Sequence, residues 1–378
     1  LPRRRSAALF AAVLTAAFLY PPAGAAADDP PTRSEQWRAI AVQALNEFKA
    51  ADDGNQRTNT YAWALEAEMR LNGYDTAYGR QLLNKVHSQR KPDGGYGLPF
   101  AFDALGDGSV NSVDTTYTVT LAGHVGPPFL LAYQHGIDTV TAPDGSTWSL
   151  RAEIRNIQLL LMSTPHIDTA QGQCLAYSRN PNDTQVYGCV HNVNAGAARF
   201  LWDTNAVGLG RSGLAALVEG ITRREAYAYI VGPITVYGVT RTNWWRYMDT
   251  TSLNDCDHNS YDAESMYFLA PLIGQNAAWN QMNLACTDNA NAPVAHFRLA
   301  ALPAVPGRTD PATGLATWCA LGDRWLPEAQ EFLDAATDLQ RVTQVAQGAA
   351  RVADNCRQAG EPIPGPSGSA SPLRAIGQ

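Results

Sequence analysis

Apolar residues along this chain recur mostly at intervals of three and four, the spacing of helices rather than strands. Between Ser34 and Ala51, the positions Trp37, Ile40, Ala41, Ala44, Leu45 and Phe48 fall on one helical face. Tyr61 to Leu71 repeats the pattern and ends at Asn72-Gly73, a good C-terminal stop. Further helices are predicted from Tyr78 to Val86, Trp148 to Met162, Ala195 to Asn205, Leu214 to Glu219 and beyond, Tyr261 to Ile273, and Leu326 to Ala353. Gly, Pro, Asn and Asp mark most of the turns between them. Tyr229 to Val239 is strand-like but is interrupted by Gly232 and Pro233.

The two ends differ from this interior. Arg3, Arg4 and Arg5 precede an apolar run from Ala7 to Tyr20, followed by the small residues Ala23, Ala25 and Ala27. That is the build of a secretory signal peptide over 1–27, so the protein is expected to be exported. Its apolar core is too short to span a bilayer, and no later segment reaches the roughly 18 apolar residues that a membrane helix needs. From Gly360 onward, Pro362, Pro364 and Pro366 with interspersed Gly and Ser predict a disordered tail over 359–378. Nothing like a linker divides 33–358, which reads as a single catalytic domain.

Charge narrows the partners. The chain carries a formal net charge of −7, and loss of the leader, with three basic side chains and no acidic one, makes the remainder more negative. Nucleic acid and anionic membranes both need a basic footprint, so neither is expected as a partner. A monomer is expected. The six cysteines, Cys174, Cys189, Cys256, Cys286, Cys319 and Cys356, are even in number, and none forms a C-x-x-C pair. In an exported chain they read as disulfides rather than a zinc site. Pairing of Cys174 with Cys189 across a polar loop, and of Cys256 with Cys286, leaves Cys319 with Cys356.

The turn Pro92-Asp93-Gly94-Gly95-Tyr96-Gly97 is followed by Asp114-Thr115-Thr116-Tyr117, which opens an apolar stretch. It resembles the Asp-Gly-Gly-aromatic-Gly turns that join outer to inner helices in α/α toroids such as the triterpene cyclases and several polysaccharide lyases. Glycines permit the tight reversal, and Asp114 or Thr115 is expected to cap the next helix. The resemblance implies a mainly all-α fold, an incomplete α/α barrel with long loops and minor β structure.

Candidate chemistry concentrates in two segments. His191 and Asn192 sit where a loop passes into a helix, with Arg199 following; Arg241, Trp244, Trp245, Arg246 and Tyr247 come next, then His258, Asn259 and Tyr261. This order resembles secreted α/α-toroid polysaccharide lyases of the alginate or uronate type. The resemblance implies that Asn192 or Asn259 holds a uronate carboxylate, that His191 or His258 acts as base or charge neutraliser, and that Tyr261 or Tyr247 is the acid. Arg199, Arg241 and Arg246 become substrate-binding candidates, and His124 could line the cleft. β-Elimination needs donors aimed at the charge developing beside C5, a base within reach of the C5 proton and an acid for the leaving oxygen. Trp244 and Trp245 suit the apolar face of a sugar ring. No metal is required. The chain lacks the Asn-Asn-His string of one alginate-lyase group and has His-Asn twice.

Each feature has a plainer alternative. His191 and Asn192 could serve as helix caps, the His258 segment could be a polar helix start tied down by Cys256, and the tryptophans could be core. A glycoside hydrolase on the same scaffold would use two carboxylates, Asp114 with Asp257, Asp262 or Glu264. A non-catalytic protein that binds glycans or cell-wall material is the third possibility. The absence of an Asp-x-Asp-Asp motif argues against a terpene cyclase, and the absence of Gly-x-Ser-x-Gly against a serine hydrolase. Asp103, Asp107, Asn111 and Asp114 have the spacing of a calcium loop, although Leu105 stands where an oxygen is wanted.

Overall fold

The computed structural model describes residues 31–358, apart from 107, 185–187, 231, 237–238, 242–243, 250–253, 275–297 and 299–317. The leader at 1–27 and the tail at 359–378 lie outside the described residues. From Thr32 onward the chain belongs to one unit, and that unit is mostly helical. In chain order its helices are α1 (Arg33–Ala51), α2 (Thr58–Asn72), α3 (Ala77–His87), α4 (Gly126–Gln134), α5 (Leu150–Ser163), α6 (His191–Thr204), α7 (Leu214–Ala228), α8 (Cys256–Leu269), α9 (Trp318–Asp334) and α10 (Leu339–Gln358).

Burial sorts these helices into two kinds. α1, α3, α5 and α7 bury one stripe, as surface helices do. α2 is buried almost all round, including Thr58, Asn59, Glu66 and Glu68, and α6 buries its polar His191, Asn192 and Asn194 with its apolar residues. A helix covered on every side belongs to an inner layer. α10 packs against both α1 and α2, and α6 against both α7 and α8. One-sided and fully covered helices therefore alternate along much of the chain. Each fully buried leucine or phenylalanine, such as Leu65 or Phe48, contributes about 1.5–3 kcal/mol to this packing.

Most helix ends follow from local chemistry. Thr32 and Glu35 form a capping box at α1, Thr76 caps α3, Ser149 caps α5 and Asp255 caps α8. The predicted run from Leu326 to Ala353 is two helices, α9 and α10, separated by a turn at 335–338. Asp114 and Thr115 do not cap the following helix, which starts beyond Tyr117; Asp114 sits exposed in a turn.

Periodicity missed α4 because Gly123, Gly126, Pro127 and Pro128 dilute its apolar pattern. A π-helical segment, Thr120–Val125, leads into it. Pro127 and Pro128 have no N–H to donate, and the Gly126 N–H reaches back five residues to the Leu121 carbonyl, which widens the turn.

Strands are few and form two-stranded antiparallel pairs. β1 (Thr139–Thr141) pairs with β2 (Thr147–Ser149), and β3 (His166–Thr169) with β4 (Gly172–Leu175). β5 (Tyr229–Ile230) pairs with β8 (Trp244–Trp245), and β6 (Ile234–Val236) with β7 (Val239–Arg241). The expected Cys174–Cys189 disulfide is present and ties β4 to the start of α6. Cys256 and Cys356 are also disulfide-bonded, whereas Cys286 and the side chain of Cys319 lie outside the described residues. No helix among the described residues is long and apolar enough to cross a membrane.

Gly126 sets how closely the widened turn approaches α6. A Cβ there would stand 2.6 Å from a Phe200 ring carbon and 2.7 Å from the Leu121 carbonyl oxygen. Gly126→Ala is expected to cost about 1–3 kcal/mol in urea denaturation, and an unchanged midpoint would contradict this close packing.

Candidate functional site

A cavity of about 420 Å³ opens between the inner helices and is lined by residues of α2, α4, α6, α8 and α10, with Arg298 beside them. Its wall carries four arginines and four carboxylates, unusual for an interior. Arg351 of α10 is the hub. Its Nε and Nη2 bond the two Glu66 oxygens at 2.7 and 2.8 Å, while its Nη1 bonds Glu264 at 2.9 Å. Arg70 pairs with Glu66 at 2.9 Å and with Asp354 at 2.8 Å. Burial alone would raise the Glu66 carboxyl, but the guanidiniums of Arg351 and Arg70 outweigh it and hold the group well below the usual carboxylate range.

Above this lattice, Arg298 donates to Ser260 Oγ at 3.1 Å and to Glu264 at 3.2 Å. Its guanidinium lies 3.4 Å from the centre of the Tyr261 ring. Burial raises the Tyr261 phenol, with Arg298 working against that, so the hydroxyl keeps its proton at neutral pH.

His124, on the π-helical segment, stands edge-on to Trp63 with ring centres 5.2 Å apart. Burial, helped by the charge of Arg298, pushes its imidazole down to about 4. His124 is therefore neutral at ordinary pH, and its buried Nδ1 has no hydrogen-bond partner among the described residues.

On the α6 wall, Arg199 Nε bonds Asp203 at 2.6 Å, and the Arg199 guanidinium lies 3.3 Å from the Phe268 ring centre. Burial raises the Asp203 carboxyl; Arg199 opposes this and Glu264 adds to it.

The two His-Asn segments meet only indirectly. The Tyr247 carbonyl accepts from the His191 N–H at 3.0 Å, and the Tyr247 ring stands edge-on to His258 at 4.9 Å. His191 itself is fully buried, with Nδ1 3.0 Å from Glu225 and Nε2 3.2 Å from Asp249. Burial opposes its charge, but Glu225, Asp249 and Asp262 prevail and push it up to about 10. Its cation sits in a closed polar core with Arg224, which pairs with Asp249.

Asn192 is buried and makes no helix-capping bond, and the Asn259 carboxamide accepts from the Trp245 N–H at 2.9 Å. Trp244 and Trp245 are fully buried, their indole N–H groups bonded to the Asn254 and Glu225 carbonyls. No indole face is left for a sugar. His258 stays partly exposed with Nδ1 2.9 Å from Asp255, whose carboxylate outweighs burial and raises the imidazole. Arg246 is exposed, and the Arg241 side chain lies outside the described residues.

The calcium-loop positions do not converge. Asp103 accepts from the Gly108 N–H at 2.9 Å, while the Asn111 carboxamide turns inward to Asp183 at 2.9 Å. Asp107 lies outside the described residues. Among the described residues no His, Cys, Asp and Glu group is arranged to hold a metal ion.

Of the residues singled out in sequence, the cavity wall takes Arg199, Tyr261 and Glu264. Sequence reasoning passed over Glu66, Arg70, Asp203, Arg298, Arg351 and Asp354. The available signal was a charge on the apolar face of a predicted helix, as at Glu66 among Ala62, Leu65 and Met69. No family model, curated protein or solved structure matches this chain.

His191 couples this core to pH. An unfolded histidine titrates near about 6.5, so the stability contributed by His191 is present in full below that pH and lost as pH rises to about 10. The raised carboxyls of Glu225 and Asp262 act in the same direction. Denaturant midpoints are expected to fall over that interval. His191→Ala should cost about 3–5 kcal/mol at pH 6 and flatten the pH dependence.

Proposed function

We propose that this chain is an exported, glycan-cleaving enzyme on an incomplete α/α toroid, and that it breaks a uronate-containing polysaccharide by β-elimination without a metal. The observation that carries the reading is Tyr261 beneath Arg298 on the cavity wall, with the neutral His124 next in the chain to the wall residue Gly123 and its buried Nδ1 without a hydrogen-bond partner among the described residues. The alternation of covered and one-sided helices supports the scaffold. π-Helical turns inside helices recur at functional sites.

In this reading His124 Nδ1 takes the C5 proton of a uronate residue. The electron pair left on C5 forms the C4=C5 double bond as the C4–O bond breaks, and the Tyr261 hydroxyl gives its proton to the departing oxygen. Arginine N–H groups stabilise the negative charge that builds on the sugar carboxylate. A free imidazole titrating near 4 is a weak base, and a bound anionic sugar raises it toward the working range. Solvent then returns the proton from His124 to Tyr261. His258, one turn before Tyr261 on α8 and held by Asp255, stands on the same stretch of helix.

A second reading has one specific observation in its favour. Asp203 keeps its proton more readily than an ordinary carboxyl, while Glu264 is paired with two guanidiniums. Two carboxyls in unlike environments are the requirement of a glycoside hydrolase.

Incubation with a panel of uronate polymers separates the cases. Elimination gives the ultraviolet absorbance of an unsaturated uronate, hydrolysis gives reducing ends without it, and neither signal across the panel would leave a binding protein. His124→Gln and Tyr261→Phe are each expected to slow elimination by about 10²–10⁴-fold with unchanged circular dichroism. Wild-type kcat/KM should fall as pH drops through about 4 and His124 takes a proton.

A further inference from the structure

The cavity arginines differ in what remains of their donors. Arg351 is shared by Glu66 and Glu264, Arg70 by Glu66 and Asp354, and Arg298 by Glu264 and Ser260. Arg199 commits only Nε, to Asp203, and its two Nη nitrogens have no protein partner among the described residues. Its side chain keeps 27% of its surface exposed while lining the cavity.

Phe268 seats this guanidinium, whose central carbon lies over the ring 3.3 Å from its centre. With Nε committed to Asp203, the Nη edge of the fork is the part of the guanidinium left for a ligand. That edge matches a carboxylate, which accepts two N–H bonds side by side. One turn earlier on α6, Gly196 lines the same cavity, and a Cβ built there would meet nothing within 4 Å. The space beside the fork is open.

We propose that the Arg199–Phe268 corner, with the clearance at Gly196, is the site that takes the carboxylate of a sugar acid and so selects uronates over neutral sugars. The inference deepens the elimination reading and rests on it for the choice of a sugar acid. Phe268 seats the guanidinium and offers an apolar edge beside the ring, and Asp203 fixes the rotamer. Both arrangements exist before the ligand arrives, which lowers the ordering cost of binding.

Binding can be read without turnover. Isothermal titration of the full chain with short oligomers of glucuronate, galacturonate and mannuronate, each against the matching neutral oligomer, should show at least one uronate binding ten times or more tighter than its neutral counterpart. Arg199→Lys keeps the charge and the pairing with Asp203 but removes the fork, and should weaken that uronate by about 10- to 100-fold. Gly196→Leu, which fills the clearance and leaves every charge in place, should do likewise. The site is refuted if no uronate binds, if neutral oligomers bind as well, or if Arg199→Lys and Gly196→Leu both leave the affinity unchanged. Uronate binding that depends on Arg199 without any cleavage would overturn the elimination reading and leave this site standing. Cleavage that ignores both substitutions would do the reverse.

Discussion

The shared guanidinium of Arg351 is the contact on which the cavity depends. It joins Glu66 on α2 to Glu264 on α8 from a position on α10, so three helices far apart in sequence are held by one side chain. Such a hub carries a large desolvation cost, which is offset only when every donor finds an acceptor. Here Arg70 and Asp354 extend the pairing on one side and Arg298 extends it on the other. The outcome is a polar interior that neither collapses as a greasy core would nor leaves its charges bare. Removing either carboxylate would leave the guanidiniums with one negative charge too few and Arg351 with a single carboxylate partner.

A second polar core sits apart from the cavity and does different work. His191, Glu225 and Asp262 are fully buried beside the partly exposed Asp249, and the Trp245 indole N–H bonds the Glu225 carbonyl. Charges buried this deeply fix geometry, because few alternative arrangements satisfy them. Tyr247 carries that rigidity outward, with its carbonyl on His191 and its ring against His258. The histidine that resembles a catalytic group in sequence thus acts as a brace, held between Glu225 and Asp249, while His124 on the π-helical turn has no carboxylate partner among the described residues and stays neutral.

The helical scaffold was largely legible in sequence. α1, α2, α3, α5 and α7 follow from apolar spacing and turn residues, since a one-sided stripe is a local property of the chain. α4 was not legible, because two prolines and two glycines mask the period and the π-helical turn that accommodates them is a tertiary compromise with Phe200. The break between α9 and α10 was missed for a similar reason: apolar spacing runs on through the turn. The disulfide between Cys174 and Cys189 was readable from a short polar loop. The candidate site was legible only in part, with Arg199, Tyr261 and Glu264 found; Trp244 and Trp245, which the sequence offered as either core or sugar platforms, are core.

What the sequence determined by itself is most of the helices, from their apolar spacing, and one disulfide. Which charges meet was decided only by tertiary structure. Glu66 and Arg351 stand far apart along the chain, and no period or spacing connects them; their pairing exists because α2 and α10 pack side by side. The same holds for the roles of the histidines. Whether an imidazole is a buried cation or a neutral base depends on the carboxylates and guanidiniums folding brings around it: Glu225 and Asp249 for His191, Arg298 for His124.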